Sequence, residues 1–365
     1  MANGKWACFA GAAAHNVAMP QGRTRVLVTG GTGFLGRFLV HRLLRDGADV
    51  RVLSRSRGKA RRLFGDHVNV VRGDIREPSS LRAACRDVEA LYHVAGVYRF
   101  GPGNAHRLLR GNLQGTRNVL QAAWNAGVSK VLHVSTASIL KAPAGSPRAE
   151  IIEDDLIDGP PLLSHYRRSK WLAERCALDW AARGLPVVIA SPSCPIGAED
   201  ERPTPTGRMI LDFLRGNFRF ASRTGLNFIA VEDVADGMVA AAERGRAGHR
   251  YLLTGRNPWL TEFLQLVGDC ARLPAPSRLL PPSLISLGGA IGEVAGRIHP
   301  RWGERLCWET AGHSREAQFF DARRTRDELE WEPVRSIENA VGEAVDYFSG
   351  RVGERCLAVS DALVS

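Results

Sequence analysis

The sequence predicts an α/β fold with a doubly wound parallel sheet, followed by a smaller mixed C-terminal substrate lobe. Short apolar runs alternate with helix-like segments up to about residue 191. This alternation is typical of βαβ units whose helices cover both faces of a parallel sheet. A glycine-rich octet, TGGTGFLG at 29–36, separates the first apolar run from the first helical pattern. Strand, glycine turn and helix in this order form the context of a phosphate-binding loop.

The first part of the chain is expected to hold six strands and five helices. The strands are predicted at 25–29, 49–53, 68–72, 89–94, 130–135 and 186–191, and the helices at 34–46, 56–64, 79–87, 105–126 and 164–183. Six strands after an N-terminal glycine loop indicate the Rossmann arrangement, in which a dinucleotide lies across the C-terminal ends of the strands.

The glycine octet is predicted to hold the pyrophosphate of that dinucleotide. Gly30 permits the tight turn, Gly33 lets the backbone approach the pyrophosphate, and Gly36 lets the helix pack on the strand. The N-terminus of the helix offers unpaired N–H groups to the anion. An ordinary glycine-rich turn is the alternative, which the flanking pattern disfavours. The candidate cofactor-binding residues of the loop are Gly30, Thr32, Gly33, Phe34, Leu35 and Gly36.

After residue 191 the pattern becomes shorter and more mixed. It predicts helices near 207–216, 231–244, 259–271 and 336–349, and strands near 219–222 and 249–254. We therefore divide the chain into a disordered N-terminal extension at 1–22, a dinucleotide-binding Rossmann domain at 23–192, a mainly substrate-binding lobe at 193–349 and a C-terminal tail at 350–365.

One apolar stripe in the lobe has two interpretations. Leu284, Leu287, Ile291, Val294 and Ile298 recur at helical spacing, which predicts a helix over 283–298. A helix packed on its own core is the simpler interpretation. The alternative is an apolar substrate wall or a helix that touches a membrane surface.

Composition excludes several classes of function. The net charge is +11, but the basic residues are dispersed and form no stripe interleaved with aromatic residues, so nucleic acid is not an expected partner. The charge would suit weak attraction to phosphates or an anionic membrane. Seven scattered cysteines without a Cys-x-x-Cys pair favour a reducing, cytoplasmic location and predict no disulfide framework and no metal site. No segment is typical of an integral membrane span, whereas peripheral membrane contact is left open.

A candidate acid–base pair lies in SHYRRSKW at 164–171, where Tyr166 and Lys170 are four residues apart. In a helix both side chains would lie on one face. An ammonium beside a phenol favours the phenolate and lowers the pKa of the tyrosine, which makes it a usable acid or base for an alcohol or ketone. A surface helix pair is the alternative.

A group of hydroxyls ends the fifth predicted strand. Ser135 and Thr136 directly follow His133 and Val134, and Ser138 comes after Ala137. Any of the three could bind the reacting oxygen at this strand end, and the spacing does not choose among them. At least one is expected to cap the turn instead.

Seven short segments carry a resemblance to a known family. They are TGGTGFLG at 29–36, GDI at 73–75, HVAG at 93–96, NLQGTRNVL at 112–120, the Ser-Thr pair at 135–136, YRRSK at 166–170 and VEDVA at 231–235. Together they resemble the extended short-chain dehydrogenases/reductases, in the epimerase/dehydratase and dihydroflavonol-reductase-like branch, over about residues 24 to 348. Within that branch, the segments at 195–216 and 224–237 resemble most the hopanoid-associated sugar epimerases.

The resemblance implies a role for individual residues. Tyr166 would be the catalytic acid/base, Lys170 its electrostatic partner and a ligand of the cofactor, Thr136 the catalytic hydroxyl, and Asn112 a residue that helps to position Lys170. The remaining implied contacts are with the cofactor: Asp74 and Ile75 at the adenine, His93, Ala95 and Gly96 along the groove, and Pro192 and Ser193 near the nicotinamide.

The chain departs from the NAD-preferring pattern at the end of the second strand. An acid that binds the ribose 2′-hydroxyl is absent from VLSRSR at 52–57. Arg55, with Arg57 beside it, would suit a 2′-phosphate. We therefore expect NADP(H) to be preferred, with NAD(H) as the alternative.

Four functions compete at this point. The first is an NAD(P)-dependent oxidoreductase that transfers a hydride between nicotinamide and a secondary alcohol or ketone carbon. The second is a sugar epimerase/dehydratase that retains its cofactor, and the third is a dehydrogenase of sterols or other polycyclic alcohols. The fourth is a non-catalytic, NADP-sensing binding protein, which the intact Tyr166 and Lys170 pair disfavours. The expected partner is a small-molecule substrate of hydrophobic or sugar character; the assembly is left open, with a homodimer as one alternative.

Overall fold

The computed structural model describes residues 24–98, 102–142, 150–161, 164–218, 220–276, 278–281, 284 and 317–364, with side chains up to residue 352. The predicted N-terminal extension at 1–22 lies outside the described residues. So does the predicted helix at 283–298, apart from residue 284.

A parallel seven-stranded sheet forms the centre of the described chain, in the order β3-β2-β1-β4-β5-β6-β9. Each neighbouring pair is parallel. This confirms the predicted doubly wound fold, because the strand order reverses direction between β1 and β4. The strands are β1 Arg25–Thr29, β2 Asp49–Ser54, β3 Asn69–Arg72, β4 Ala90–His93, β5 Lys130–Val134, β6 Val187–Pro192, β7 Cys194–Ile196, β8 Phe228–Ala230 and β9 Arg250–Leu253. Strands β7 and β8 pair separately as a two-stranded sheet.

Helices cover both faces of the large sheet. They are α1 Phe34–Arg45, α2 Arg57–Phe64, α3 Pro78–Cys85, α4 Ala105–Leu108, α5 Gly115–Asn125, α6 His165–Ala182, α7 Pro205–Leu214, α8 Val231–Arg244, α9 Leu260–Ala271, α10 Arg323–Leu329 and α11 Ile337–Val364. A π-helical turn at Leu109–Gln114 joins α4 to α5. Within the described ranges, none of the helices combines the length and apolar character needed to cross a bilayer.

Two apolar layers lie on opposite faces of the sheet. Val28 and Val52 point into the layer that contains Leu39 of α1 and Met238 of α8. Leu27, the residue between Val26 and Val28, points into the other layer, beneath α3, α5 and α6. Successive residues of a strand face opposite sides of the sheet. When both sides are covered, the sequence of each strand is therefore a nearly continuous apolar run. This is why β1 was visible in the sequence.

A third core belongs to the lobe. Phe228 of β8 stacks on Phe263 of α9 with ring centroids 4.0 Å apart. Phe348 of α11 and Ile210 of α7 are buried in the same cluster. The lobe is therefore held by α7, α9 and α11 around the short β7–β8 sheet.

The structure corrects several predicted elements. The strand predicted at 219–222 is wrong for the described residues 220–222, where an isolated bridge pairs Ala221 with Leu279. The strand predicted near 249–254 is present as β9, but it pairs with β6 in the large sheet instead of lying in the lobe. Helix α8, which was also expected in the lobe, packs against α1. The helix at 105–126 is interrupted by the π turn. The domain boundary near residue 192 stays a prediction. Two elements that follow this boundary, β9 and α8, belong to the large sheet and to the helices that cover it.

The helix predicted at 336–349 extends as α11 to Val364, through most of the segment named a tail. Strands β7 and β8 and helix α10 were not predicted. Each of them is short, with three, three and seven residues.

The loop of the lobe that contains Glu199 and Glu201 forms ion pairs with α1 and α2. Arg37 of α1 donates to Glu199 and to Glu201, at 2.7 Å in each case. Lys59 of α2 donates to Glu201 at 2.8 Å. The Lys59 hydrogen bond and the Arg37 charge lower the pKa of Glu201 to about 2. Arg351 of α11 donates to the carbonyls of Asp200 and Glu201 in the same loop.

Candidate active site

The glycine loop after β1 leaves no room for side chains. Gly30 adopts φ of +75°, and a Cβ on it would lie 2.6 Å from the backbone nitrogen of Ala95. A Cβ on Gly36 would overlap the carbonyl oxygen of Gly30. Gly33 precedes α1 and caps it without a side chain, so the first-turn N–H groups of α1 stay available to an anion. The loop therefore fits the pyrophosphate of a dinucleotide, with Thr32, Phe34 and Leu35 half-buried along it.

The surroundings of the end of β2 are basic. Strand β2 ends at Ser54, and the side chains of Arg55 and Arg57 that follow it are exposed. Asp74, after β3, accepts a hydrogen bond from Arg76 Nε at 3.0 Å. This hydrogen bond lowers the pKa of Asp74, and the nearby charge of Arg55 lowers it further. The end of β2 is thus surrounded by two exposed arginines and by a carboxylate that is paired with a third.

Ile75 and Asn118 hold the loop after β3 against α5. Asn118 Nδ2 donates to the Ile75 carbonyl at 2.9 Å. The Ile75 side chain lies against Gly115, where a Cβ would collide with it. Asp74 and Ile75 thus lie at one edge of the groove, next to the end of β2.

His93 is buried beneath the groove rather than exposed in it. Its Nδ1 lies 2.8 Å from Thr29 Oγ1, and its Nε2 lies 3.0 Å from Thr116 Oγ1. Burial lowers the pKa of His93 to about 3, and the Lys170 charge adds to this effect. The imidazole is therefore neutral and joins β1, β4 and α5. The groove itself is bordered by the backbone that follows, at Ala95 and the exposed Gly96.

Helix α6 presents Tyr166 and Lys170 on its buried face. Ser164 caps the helix by accepting from the Arg167 N–H at 3.0 Å. The two residues are 8% and 7% exposed, as their spacing of four predicts. Lys170 Nζ donates to the Val134 carbonyl at 2.6 Å, at the end of β5. The rings of Tyr98 and Tyr166 lie 4.3 Å apart.

Asn112 fixes the backbone of α6 through a serine. Its Oδ1 accepts from the Val97 N–H at 2.6 Å, and its Nδ2 donates to Ser169 Oγ at 2.8 Å. Ser169 Oγ in turn donates to the Tyr166 carbonyl at 2.7 Å. The side chain of Asn112 lies in the π turn, which places it within reach of both the loop after β4 and α6. Ser169 was not singled out in the sequence, although it lies inside the Tyr-x-x-x-Lys segment.

The three hydroxyls after β5 have different surroundings. Thr136 Oγ1 lies 3.1 Å from Ser138 Oγ and accepts from the Ser138 N–H at 3.3 Å. It therefore caps the short turn at Ala137–Ile139. Ser135 Oγ is buried and finds no hydrogen-bond partner in the part of the chain that the structure describes.

The end of β6 is tied to the lobe. Ser193 Oγ donates to Asn227 Oδ1 at 2.6 Å, and Asn227 Nδ2 donates to Asn257 Oδ1 at 2.7 Å. Pro192 pairs with Leu253 at the adjacent strand end. Asn227 was missed in the sequence, because its partners are about 30 residues away in each direction. The carboxyl ends of the sheet strands thus bring the glycine loop, Arg55, Asp74, Thr136 and Ser193 to one edge.

Burial governs the charge of Lys170. It lowers the pKa of the ammonium to about 8, while the Glu174 charge acts in the opposite direction. This pKa still lies above neutral pH, which favours an ammonium on the same buried face of α6 as Tyr166.

The sequence is similar to those of known proteins over most of its length. The profile of the NAD dependent epimerase/dehydratase family matches residues 26–253. A dihydroflavonol 4-reductase-like protein of Synechocystis sp. is 34% identical over 327 residues, which cover 88% of this chain and 93% of that protein. Sterol demethylase protein B of Methylococcus capsulatus is 32% identical, with coverage of 89% and 98%.

A solved structure shares the same architecture. The nucleoside-diphosphate-sugar epimerase from Pseudomonas aeruginosa superposes with a TM-score of 0.74 at 25% identity, over 90% of this chain and 99% of that chain. The glycine loop, the parallel sheet and these matches lead to one conclusion: the chain belongs to the NAD dependent epimerase/dehydratase family, whose members are NAD(P)-dependent enzymes of the extended short-chain dehydrogenase/reductase type.

Proposed function

We propose that the protein is an NADP(H)-dependent oxidoreductase that interconverts a secondary alcohol and a ketone, with Tyr166 as the acid/base. The observation that carries the proposal is the buried pair of Tyr166 and Lys170 on α6, anchored at the end of β5 by the Lys170 hydrogen bond to Val134. A bound nicotinamide would supply or accept the hydride.

Side chains of the protein would transfer the proton. In the direction of reduction, the Tyr166 hydroxyl gives its proton to the ketone oxygen as the carbonyl carbon receives the hydride; in oxidation the same proton returns. The Lys170 ammonium stabilises the phenolate that this transfer leaves. Thr136 would orient the reacting oxygen, and Asn112 would hold α6 through Ser169.

The names of two relatives favour a reductase or dehydrogenase of hydrophobic substrates, namely the dihydroflavonol 4-reductase-like protein and sterol demethylase protein B. The sugar epimerase from Pseudomonas aeruginosa favours the second candidate, in which the cofactor is reduced and reoxidised within one turnover. The small-molecule substrate, the homodimer and the cytoplasmic location stay predictions.

The two candidates differ in the fate of the cofactor. Purified protein and NADPH are mixed with polycyclic ketones, flavonoid ketones or nucleotide sugars in separate reactions, and the nicotinamide absorbance of each reaction is followed. We expect stoichiometric loss of NADPH with a ketone, and release of the oxidised cofactor. Conversion of a nucleotide sugar with catalytic, retained cofactor would instead establish the epimerase.

We predict that Arg55→Ala weakens NADP(H) binding by about tenfold or more, because a hydrogen bond to a charged group contributes about 1.5–3 kcal/mol. NAD(H) binding should change little. The measurement is a fluorescence titration of both reduced cofactors against wild type and variant. Arg62→Ala, an exposed residue of α2, is the matched control for loss of positive charge. Tighter binding of NAD(H) by wild type, or an unaltered preference in the variant, would contradict the assignment.

A further inference from the structure

Lys170 lies in a buried group of ionisable side chains that comes from four elements. We call it the Lys170 cluster; it consists of Lys170 and Glu174 on α6, His93 on β4, His133 on β5 and Arg250 on β9. Each of these residues is at most 8% exposed. Burying a charge costs free energy unless the charge is paired. The pairing within the cluster therefore determines which of its side chains are ionised.

The two histidines do not carry charge. Burial lowers the pKa of His93 to about 3 and that of His133 well below its usual value, and the Lys170 charge acts on both in the same direction. Their rings lie 5.3 Å apart. The cations of the cluster are therefore Lys170 and Arg250, and its single carboxylate is Glu174.

Glu174 follows Lys170 by one helical turn on the same buried face of α6. Its side chain is completely buried. Oε1 accepts from Arg250 Nε at 2.8 Å and also from Nη2. Oε2 is buried without a hydrogen-bond partner among the described residues, so half of the carboxylate is not used by Arg250.

Arg250 is itself fixed from a second side. Its Nη1 donates to the Glu153 carbonyl, and the Glu153 carboxylate accepts from the Thr325 N–H and hydroxyl, at 3.1 Å in each case. The guanidinium thus has a defined position, and it holds Glu174, whose charge raises the pKa of Lys170.

We propose that Glu174 is a positioning residue that keeps the Lys170 ammonium charged inside the protein, and that Arg250 holds Glu174 in place for this task. The proposal deepens the proposed function, and rests on it for the use made of the ammonium by Tyr166. Residues four apart on a helix have Cβ atoms about 5–6 Å apart, and an opposite charge within about 4–6 Å typically moves a pKa by about 1–3 units. Without Glu174 the full effect of burial would act on the Lys170 ammonium, and the pKa of Lys170 would be lower than in the wild type.

The chain permits a direct measurement of the Lys170 proton. It contains five lysines, at positions 5, 59, 130, 141 and 170. With lysine labelled by nitrogen-15, the five side-chain signals can be titrated by NMR from about pH 6 to about pH 11, and Lys170→Arg identifies the signal of interest. We expect Glu174→Gln to lower the Lys170 midpoint by about one pH unit or more. Glu201→Gln is the matched control, because it should alter the Lys59 signal and leave Lys170 unchanged.

A second variant separates this role from a purely structural one. Glu174→Gln leaves Arg250 buried without a carboxylate, which can itself destabilise the fold or repel Lys170. In Glu174→Gln/Arg250→Met both charges are removed. Under the proposal the Lys170 midpoint stays low in the double variant. A return to the wild-type midpoint, or an unchanged midpoint in Glu174→Gln, would overturn it.

The pH dependence of turnover gives a second readout. The alkaline limb of kcat/KM should follow the Lys170 midpoint and shift to lower pH in the double variant. If wild type turns over no substrate, the proposed function fails, whereas the NMR titration still tests the role of Glu174. A shifted midpoint with an unshifted alkaline limb would show that Glu174 sets the charge of Lys170 but that this charge does not limit turnover, and so would overturn the catalytic part of the inference.

Discussion

Tyr166→Phe is expected to lower turnover by about 10²–10⁴-fold or more, the range that general acid–base groups typically contribute, while cofactor binding is retained. The substitution deletes only the hydroxyl. The ring keeps its packing against Tyr98, and α6 keeps its Ser164 cap and its link to Asn112. The measurement is single-turnover hydride transfer, followed by nicotinamide absorbance, beside a fluorescence titration of the reduced cofactor.

Three variants serve as comparisons. Tyr92→Phe removes the hydroxyl of another buried tyrosine, one in the layer of α1 and α8, and should leave turnover unchanged. Lys170→Ala should weaken cofactor binding as well as turnover, because Lys170 is expected to contact the ribose. Thr136→Val should have a smaller effect, since it only orients the reacting oxygen. Near-wild-type hydride transfer in Tyr166→Phe would disprove the mechanism and revive the non-catalytic, cofactor-sensing alternative.

Gly36→Ala is expected to weaken dinucleotide binding by at least tenfold and to destabilise the fold. The new methyl group would overlap the Gly30 carbonyl, so that α1 must move away from the turn that it supports. Overpacking of this kind costs about 1–3 kcal/mol, and the displaced helix terminus no longer points its N–H groups at the pyrophosphate. Urea denaturation and cofactor titration measure the two effects.

Gly58→Ala is the matched control for this substitution. Gly58 lies in α2, and a Cβ there would meet no atom within 4 Å. Alanine is the better helix former by about 1 kcal/mol, so this variant should be as stable as wild type or more stable. Equal cofactor affinity in Gly36→Ala and Gly58→Ala would show that α1 does not hold the pyrophosphate.

The large sheet was predictable because its strands are covered on both faces. Buried strands such as β1 and β5 appear as apolar runs, and their predicted bounds agree with the structure to within one residue. Strand β9 was recognised as a strand but assigned to the lobe. Periodicity reports that a segment is extended and buried, but the partner of a strand depends on contacts that are distant in sequence, here with β6. The three-residue strands β7 and β8 are too short to show a period.

The placement of the candidate site residues was predictable where they share one local element. Tyr166 and Lys170 are one helical turn apart, so their spacing predicted that both lie on one face of α6. His93 was expected along the groove, yet its imidazole is buried between Thr29 and Thr116, which come from two other elements. The role of Asn227 likewise depends on residues far away in the chain. Glu174 is one turn from Lys170, but its burial depends on Arg250 of β9.

The loop that carries Glu199 and Glu201 has a thermodynamic consequence. Its ion pairs reach α1, which begins at the pyrophosphate loop, and α2, which follows Arg55; Arg351 binds the same loop from the lobe. A ligand that binds the folded state of one region raises the stability of every region that unfolds together with it. Binding of a dinucleotide in the proposed groove would therefore also raise the free energy of unfolding of the lobe, through the contacts of this one loop.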